Sequence, residues 1–246
     1  MREISITAFN AADAQTFSRI LSAGATEDAA RWLHTAAEHG VAEAQVHYAQ
    51  MLLDGRGVAA NPQEAFQWFR LAARQGHAMA RNMLGRCYEN GWGVEPDMLL
   101  ATYWLRLAAQ SGLDWGMYNY ATSLALGRGV EIDRKEALAW LQRAAALGHA
   151  KSWNLMGGFF EDGWACEVNV KTALACYRKA AEGGDFRGQF NVGRLFASAE
   201  QFDQAITWFH AAYHNPGATD AFRNNMLRFL NESPNAILKN LGQELS

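Results

Sequence analysis

Residues 77–112 read HAMARNMLGRCYENGWGVEPDMLLATYWLRLAAQSG, and this stretch decides the fold. Apolar side chains recur at helical spacing over residues 79–88, and Gly91-Trp92-Gly93 then interrupts the helix. Asp97 is a residue type that caps helix N-termini, and a second apolar stripe follows over residues 100–108 until Gly112 ends it. The stretch therefore predicts two antiparallel α-helices joined by a tight turn.

The same pattern returns along most of the chain with a period of 36 residues. Three independent columns share this period: Gly55, Gly91, Gly127 and Gly163; Gly40, Gly76, Gly112, Gly148 and Gly184; and Trp32, Trp68, Trp104 and Trp140, with Cys176 in the fifth place. A fixed period of this length is typical of a solenoid, in which each unit buries its apolar face on its neighbours. Small residues such as Gly85 are expected where two helices cross.

Composition supports a helical, well-packed chain. Alanine is far more frequent than valine and isoleucine together, which excludes an all-β fold. Half of the residues are hydrophobic and 19% are charged, so the chain is not mostly disordered. The net charge of -3 and the scattered basic residues predict neither a nucleic-acid partner nor a membrane-surface partner.

The repeated motifs resemble the Sel1-like repeats. Their pattern is roughly A-x-x-x-L-G-x-x-Y-x-x-G-x-G-V followed by A-x-x-W-[FY]-x-x-A-A-x-x-G. The repeat over residues 77–112 matches this pattern at twelve positions: Ala80, Leu84, Gly85, Tyr88, Gly91, Gly93, Val94, Ala101, Trp104, Ala108, Ala109 and Gly112. The resemblance is strongest over residues 41–184. It implies an all-α, right-handed superhelical solenoid of antiparallel helix pairs, related to the tetratricopeptide (TPR) repeats.

A single solenoid domain spanning residues 1–246 follows from this assignment. Its expected parts are an atypical N-terminal repeat over 11–40, Sel1-like repeats over 41–76, 77–112, 113–148 and 149–184, a shortened TPR-like repeat over 185–217, and a helical cap over 218–246. Atypical terminal units are expected because the ends of a solenoid meet solvent instead of another repeat. Residues 1–9 do not resemble a signal peptide, and no apolar stretch is long enough to span a bilayer.

Catalytic, metal and cofactor signatures are absent from the sequence. It contains no HExxH, GxSxG, SxxK, Walker or dinucleotide-binding motif, so we predict a protein that is not an enzyme and has no cofactor. His210 and His214 are four residues apart on a predicted helix, but they have no third ligand nearby, and a packing or solvated role is favoured. Cys87, Cys166 and Cys176 are odd in number, which favours a reducing, cytoplasmic location. Some family members described as hydrolases have a pair of cysteines in each repeat, and this sequence lacks such pairs.

In solenoids of this kind the first helix of each unit lines the concave face, and the resemblance implies the same here. Three rows of non-repeating residues are then expected in the groove: Val46, Asn82, Tyr118, Asn154 and Phe190; Gln50, Arg86, Thr122, Gly158 and Arg194; and Glu43, Met79, Trp115, Lys151 and Arg187. The predicted binding residues among them are Met79, Asn82, Arg86, Trp115, Tyr118, Lys151, Asn154, Arg187, Phe190 and Arg194. Asn119 and Asn191 occupy positions that are commonly Asn in the family, which implies a structural role.

The character of the groove predicts an extended peptide with an apolar centre and acidic flanks. Trp115 and Tyr118 supply rigid apolar anchors, and the arginines supply forked donors for carboxylates. An alternative is that Trp115 only packs on the preceding turn. If the side chains of Trp92, Arg128 and Trp164 point outward, they form a second contact strip. The alternative is that each tryptophan packs over its neighbouring loop.

The function that follows is a non-enzymatic scaffold or adaptor that binds a protein or peptide partner, with a monomer favoured over a weak dimer. Two alternatives remain open. One is a small-molecule-binding or hydrolytic repeat protein, which requires a deep pocket with a polar cluster. The other is a structural subunit whose groove is filled by its own C-terminus or by a second copy.

Overall fold

The computed structural model describes residues 26–246, and within them it contains thirteen α-helices and no β-strand. The helices are α1 (Glu27–Glu38), α2 (Ala42–Asp54), α3 (Pro62–Arg74), α4 (Ala78–Asn90), α5 (Met98–Gln110), α6 (Asp114–Leu126), α7 (Arg134–Ala146), α8 (Ala150–Asp162), α9 (Val170–Glu182), α10 (Phe186–Ser198), α11 (Phe202–Tyr213), α12 (Asp220–Asn231) and α13 (Ala236–Leu245). The all-α repeat fold predicted from the sequence is confirmed. The expectation for residues 1–9, and the first part of the predicted N-terminal repeat over 11–40, lie outside the described residues.

The chain divides into two compact units. The first ends at Ile132, and the second runs from Asp133 to Ser246. In the first unit, α2 packs on α3 and α4 on α5, and α3 and α5 pack in turn on the helix that follows them. The second unit repeats this arrangement with α8 on α9 and α10 on α11, and α12 and α13 complete it over the stretches predicted as a cap. Within the described residues, no helix is long and apolar enough to cross a membrane.

The turn inside each helix pair explains the column of Gly55, Gly91, Gly127 and Gly163. Helix α4 ends at Asn90, and Gly91 follows in the left-handed conformation with a φ of 72°, which glycine adopts without steric cost. At the start of the next helix, the Asp97 side chain accepts a hydrogen bond from the Leu100 amide at 3.0 Å. This predicted N-cap is therefore present, and the equivalent turns of the neighbouring pairs are built in the same way.

Small residues lie where helices cross, as the sequence predicts. A Cβ placed on Gly85 would approach the Leu105 side chain to 2.8 Å, and one on Gly157 would overlap the Tyr177 ring. Both approaches are closer than a van der Waals contact, so only glycine permits these helices to pack so closely. The recurring alanines are also buried, for example Ala80 and Ala101.

Candidate binding surface on the first helices

The first helices of neighbouring repeats contact each other in both units: α4 contacts α6, and α8 contacts α10. Since these helices belong to consecutive repeats, residues at the same repeat position lie side by side along the surface.

An asparagine pair joins the two first helices in each unit. Asn119 Nδ2 donates to Asn82 Oδ1 at 2.8 Å in the first unit, and Asn191 Nδ2 donates to Asn154 Oδ1 at 2.9 Å in the second. Asn82 is only 4% exposed, so its amide serves the helix contact. The sequence assigns Asn82 and Asn154 to a ligand and Asn119 and Asn191 to the scaffold, whereas the structure joins them in pairs across the helices.

Next to the first asparagine pair lie an exposed tryptophan and a partly buried tyrosine. Trp115 is 37% exposed, and its ring centroid lies 6.3 Å from that of Tyr118 in an edge-to-face arrangement. Its backbone amide donates to the Asp114 carboxylate at 2.7 Å, which fixes the start of α6. Tyr118 and the predicted binding residue Met79 are both partly buried. The first unit thus presents a rigid aromatic pair at the start of a first helix.

A charged cluster lies at the C-terminal end of α4. Arg86 Nε lies 3.1 Å from Glu89 Oε2, and Arg128 Nη1 lies 3.3 Å from Glu89 Oε1. The Arg86 guanidinium also lies 5.4 Å from the centroid of the Trp92 ring, which packs against the hydrophobic core. Of the residues predicted for the second contact strip, Arg128 therefore shares the Glu89 carboxylate with Arg86, and Trp92 contacts Arg86 and is partly buried.

In the second unit the aromatic position is covered by the chain itself. Phe190 occupies the repeat position of Tyr118. Its ring centroid lies 5.3 Å from that of Phe229 and 5.9 Å from that of Phe222, and both of these residues are on α12. It also lies 5.7 Å from Phe209. This predicted binding residue therefore contributes to packing of the C-terminal helices. The sequence gives no signal for this contact, because Phe222 and Phe229 lie outside the repeats.

Arg194 is likewise engaged within the chain. Its two terminal nitrogens donate to Glu161 at 2.7 and 2.6 Å, and the Tyr177 hydroxyl donates to the same carboxylate at 2.7 Å. The hydrogen bonds from Arg194 hold the pKa of Glu161 below its usual value despite partial burial, and they raise that of Arg194. Burial and the neighbouring Glu161 carboxylate raise the pKa of the Tyr177 phenol. The guanidinium fork predicted to bind a ligand carboxylate is thus occupied by Glu161.

The two acidic partners share a repeat position. Glu89 and Glu161 stand two residues before the loop glycines Gly91 and Gly163. Each one pairs with an arginine from a neighbouring repeat in its own unit. The same position is Leu53 and Ala125 in the other two repeats, so the 36-residue period gives no signal for these pairs.

The remaining predicted residues of the second unit are dispersed. Lys151 is partly buried, whereas Arg187 is exposed and its guanidinium lies 4.5 Å from the Phe186 ring centroid. Trp164 packs edge-to-face on Phe159 at 5.5 Å, with the guanidinium of Arg134 4.3 Å from its centroid. This tryptophan therefore packs on the last turns of α8 and next to the first residue of α7.

The described residues contain no group of three His, Cys, Asp or Glu side chains placed to hold a metal ion. The rings of His210 and His214 stack at 6.0 Å between centroids, and His210 Nε2 lies 3.9 Å from Glu244 Oε1. Burial raises the pKa of the Cys87 thiol to about 12 and also raises that of Cys176. Both thiols are therefore protonated at neutral pH and are poor nucleophiles.

Comparison with known proteins decides the family. The Sel1 repeat family model matches residues 26–41, 42–77, 78–113, 116–149 and 154–185, which is more than half of the chain. The chain belongs to the Sel1 repeat family. The resemblance recognised from the motifs is thereby confirmed. Proteins of this family are generally non-catalytic protein-interaction scaffolds.

Solved structures show the same fold. A Sel1 repeat protein from Oxalobacter formigenes is 24% identical, with a TM-score of 0.79, and the match covers 94% of this chain and 97% of that protein. A protective antigen of uropathogenic Escherichia coli that displays an SLR fold is 25% identical, with a TM-score of 0.56, over 89% of this chain and 55% of the antigen. An immunity protein, Pa5087 from Pseudomonas aeruginosa, is 18% identical, with a TM-score of 0.55, over 83% of this chain and 80% of its own. No curated protein sequence gives a significant match.

Proposed function

We propose that this Sel1 repeat protein is a non-enzymatic scaffold or adaptor that binds an extended peptide segment of a partner protein through the first helices of its first unit. The observation that carries the proposal is the exposed Trp115, which packs edge-to-face on the partly buried Tyr118 beside the Asn82–Asn119 contact. Exposed, rigid aromatic side chains on a fixed scaffold are typical of interaction hot spots. The three free cysteines support a reducing, cytoplasmic location.

The charge cluster at the other end of α4 supports a peptide with acidic residues beside its apolar anchor. Arg86 and Arg128 share one carboxylate, Glu89, so two positive charges face one negative charge. A ligand carboxylate placed there would balance the cluster and would gain charge-assisted hydrogen bonds. An aromatic or aliphatic residue of the same peptide would then pack on Trp115 and Tyr118.

The proposed surface is limited to Met79, Arg86, Trp115, Tyr118 and Arg128, and the buried Asn82 holds the two first helices together beside it. In the second unit, Phe190 packs under α12 and Arg194 is paired with Glu161, which favours a self-covered surface there. The interpretation as a structural subunit with a filled groove is therefore kept for the second unit alone. Lys151, Asn154 and Arg187 then serve packing and solubility.

A peptide selection followed by direct binding tests this proposal. Random peptides displayed on phage are selected on the wild-type chain, and the affinity of each selected peptide is measured by fluorescence anisotropy. We expect selected peptides with an apolar residue next to acidic residues. Changing Trp115→Ala together with Tyr118→Ala should weaken binding at least tenfold, which corresponds to about 1.4 kcal/mol.

A matched control is available on the same helix. Leu126 is an exposed apolar residue at the far end of α6, and Leu126→Ala should leave peptide affinity unchanged. The double variant should also keep its helicity and melting temperature, because truncation of a buried aromatic costs about 3 to 5 kcal/mol and that of an exposed one far less. Unchanged peptide affinity, or a large fall in melting temperature, would overturn the proposal.

A further inference from the structure

The start of helix α5 in the first unit carries an exposed apolar patch, formed by Met98, Leu99, Leu100 and Tyr103. Leu99 is 73% exposed, and the other three are 41%, 40% and 45% exposed, in that order. Side chains at positions 99 and 103 are four residues apart and lie on one face of the helix. Three consecutive large apolar residues at a helix start are unusual on a solvated surface.

The other repeats show that the scaffold does not require an apolar residue at position 99. The residues at this repeat position are Gln63, Lys135 and Lys171, and all three are exposed or partly exposed. Each lies in the first turn of a second helix that is otherwise built like α5. A polar side chain therefore fits the position, and Leu99 is a departure from the pattern of this chain.

The neighbouring position gives a stronger contrast, because a hydrogen bond is lost there. Trp68 Nε1 donates to Glu64 Oε1 at 3.2 Å, and Trp140 Nε1 donates to Glu136 Oε1 at 3.0 Å. In α5 the equivalent of the glutamate is Leu100, which has no acceptor for the tryptophan one turn later. The second helix of this repeat has thus exchanged an intrahelical hydrogen bond for exposed apolar surface.

Charged residues of opposite sign flank the patch. Glu95 is exposed just before α5, where Asp97 caps the helix, and Arg106 is exposed two turns into the helix. Within the part of the chain that the structure describes, neither Glu95 nor Arg106 forms an ion pair. The surface is therefore negative at one end, apolar in the middle and positive at the other end.

We propose that this patch binds the same patch of a second copy of the chain, with the two α5 helices antiparallel around a two-fold axis that crosses them midway between Leu99 and Tyr103. In that arrangement Leu99 packs on Tyr103 of the second copy, and Arg106 lies opposite Glu95 and Asp97 of the second copy. Each contact occurs twice, because a two-fold interface uses the same patch on both subunits. A parallel arrangement would instead place like charges together, so the charge pattern selects the antiparallel one.

The interface is small, and the dimer is therefore weak. One helix start from each copy forms the contact, which corresponds to the low end of specific interface areas. We expect half-dissociation at about 10 to 100 μM, in the range of transient complexes. The surface uses the second helix of a repeat, whereas the proposed peptide surface uses first helices, so either proposal can fail without the other.

Sedimentation equilibrium of the full chain from about 5 to 500 μM, a range that brackets this Kd, tests the dimer. The variant Leu99→Lys with Leu100→Glu gives α5 the residues found in the third repeat, including the glutamate that accepts from tryptophan. It should fold as well as the wild type. It should also remain monomeric over the whole concentration range, because its dimer should dissociate with a Kd at least about tenfold higher. Leu147→Lys, a change at another exposed leucine outside the patch, should dimerise like the wild type.

A charge exchange separates this geometry from general hydrophobic association. Arg106→Glu should weaken the dimer, because the introduced carboxylate would face Glu95 and Asp97 of the second copy. Adding Glu95→Arg to the same chain should recover most of the lost affinity, since each introduced glutamate then faces an introduced arginine. A wild-type chain that stays monomeric over the whole range, a patch variant that still dimerises, or a charge exchange that recovers nothing each overturns the proposal.

Discussion

The two asparagine pairs offer a comparison between the two units of the molecule. The amide hydrogen bond between neighbouring first helices is nearly the same in both, at 2.8 Å for Asn82 and Asn119 and 2.9 Å for Asn154 and Asn191. The adjacent repeat position holds Tyr118 in the first unit and Phe190 in the second, and both side chains are partly buried. Tyr118 contacts the exposed Trp115, whereas Phe190 contacts two phenylalanines of α12. The scaffold is therefore constant, whereas the contacts at this surface position differ.

This difference shows that a solenoid end changes the role of a repeat. Helix α12 lies beyond the last repeat of the second unit and brings Phe222 and Phe229 onto Phe190. The side chain at this repeat position then supplies packing contacts for the C-terminal helices. Variation at a surface position among repeats therefore has end capping as one of its origins.

The largest expected effect is at the aromatic position. Phe190→Ala should lower the free energy of unfolding by about 3 kcal/mol, because it removes ring contacts with three phenylalanines. Tyr118→Ala, the matched change in the first unit, should cost less than about 1 kcal/mol. Urea denaturation followed by circular dichroism measures both. Equal costs at the two positions would show that the first unit is as covered as the second.

A smaller effect is expected at Glu161 and Glu89, which share a repeat position. Glu161→Gln should cost about 2 kcal/mol at pH 7, because it weakens two short bonds from Arg194. Glu89→Gln should cost only about 0.5 kcal/mol, since its arginine partners are at longer distances and Arg128 is half exposed. Denaturant titrations of both variants and the wild type give these differences.

The pH dependence of the Glu161 variant has a defined sign. Hydrogen bonds from Arg194 lower the pKa of Glu161, so its stabilisation is complete above the unfolded-state pKa and is lost as the pH falls through the lower folded-state value. The difference between wild type and Glu161→Gln should therefore be constant near neutral pH and should shrink below about pH 4. A difference that persists unchanged down to about pH 2 contradicts this explanation.

The smallest expected effect is at the loop glycines. In the first unit, a Cβ on Gly93 would overlap the Pro62 carbonyl oxygen, so alanine is excluded there. The second unit has Ala165 at this repeat position with a φ of 60°. Ala165→Gly should stabilise the chain by about 0.5 kcal/mol, because it removes left-handed strain at the cost of a more flexible unfolded chain. Differential scanning calorimetry should show a higher melting temperature, whereas Ala139→Gly on the exposed face of α7 should lower it.

Much of the fold was predictable from the sequence, since its determinants are local. The end of α4 at Asn90 follows from Gly91, and the start of α5 follows from the cap at Asp97. The glycine at position 85 indicated a close helix crossing, which the Leu105 contact confirms. Each of these features depends on backbone conformation or side-chain size within one repeat, and both are legible in the period of the sequence.

The candidate surface was less predictable, because its character depends on contacts between residues that are far apart in sequence. The sequence by itself determined the family and the helix pairs. Only the tertiary structure decided which contacts the predicted binding residues make. Asn82 accepts a hydrogen bond from Asn119, Arg194 donates to Glu161, and Phe190 packs against α12. The physical reason is that helix formation and turn geometry are set by neighbours along the chain, whereas exposure and ion pairing are set by whichever side chains packing brings within a few ångströms.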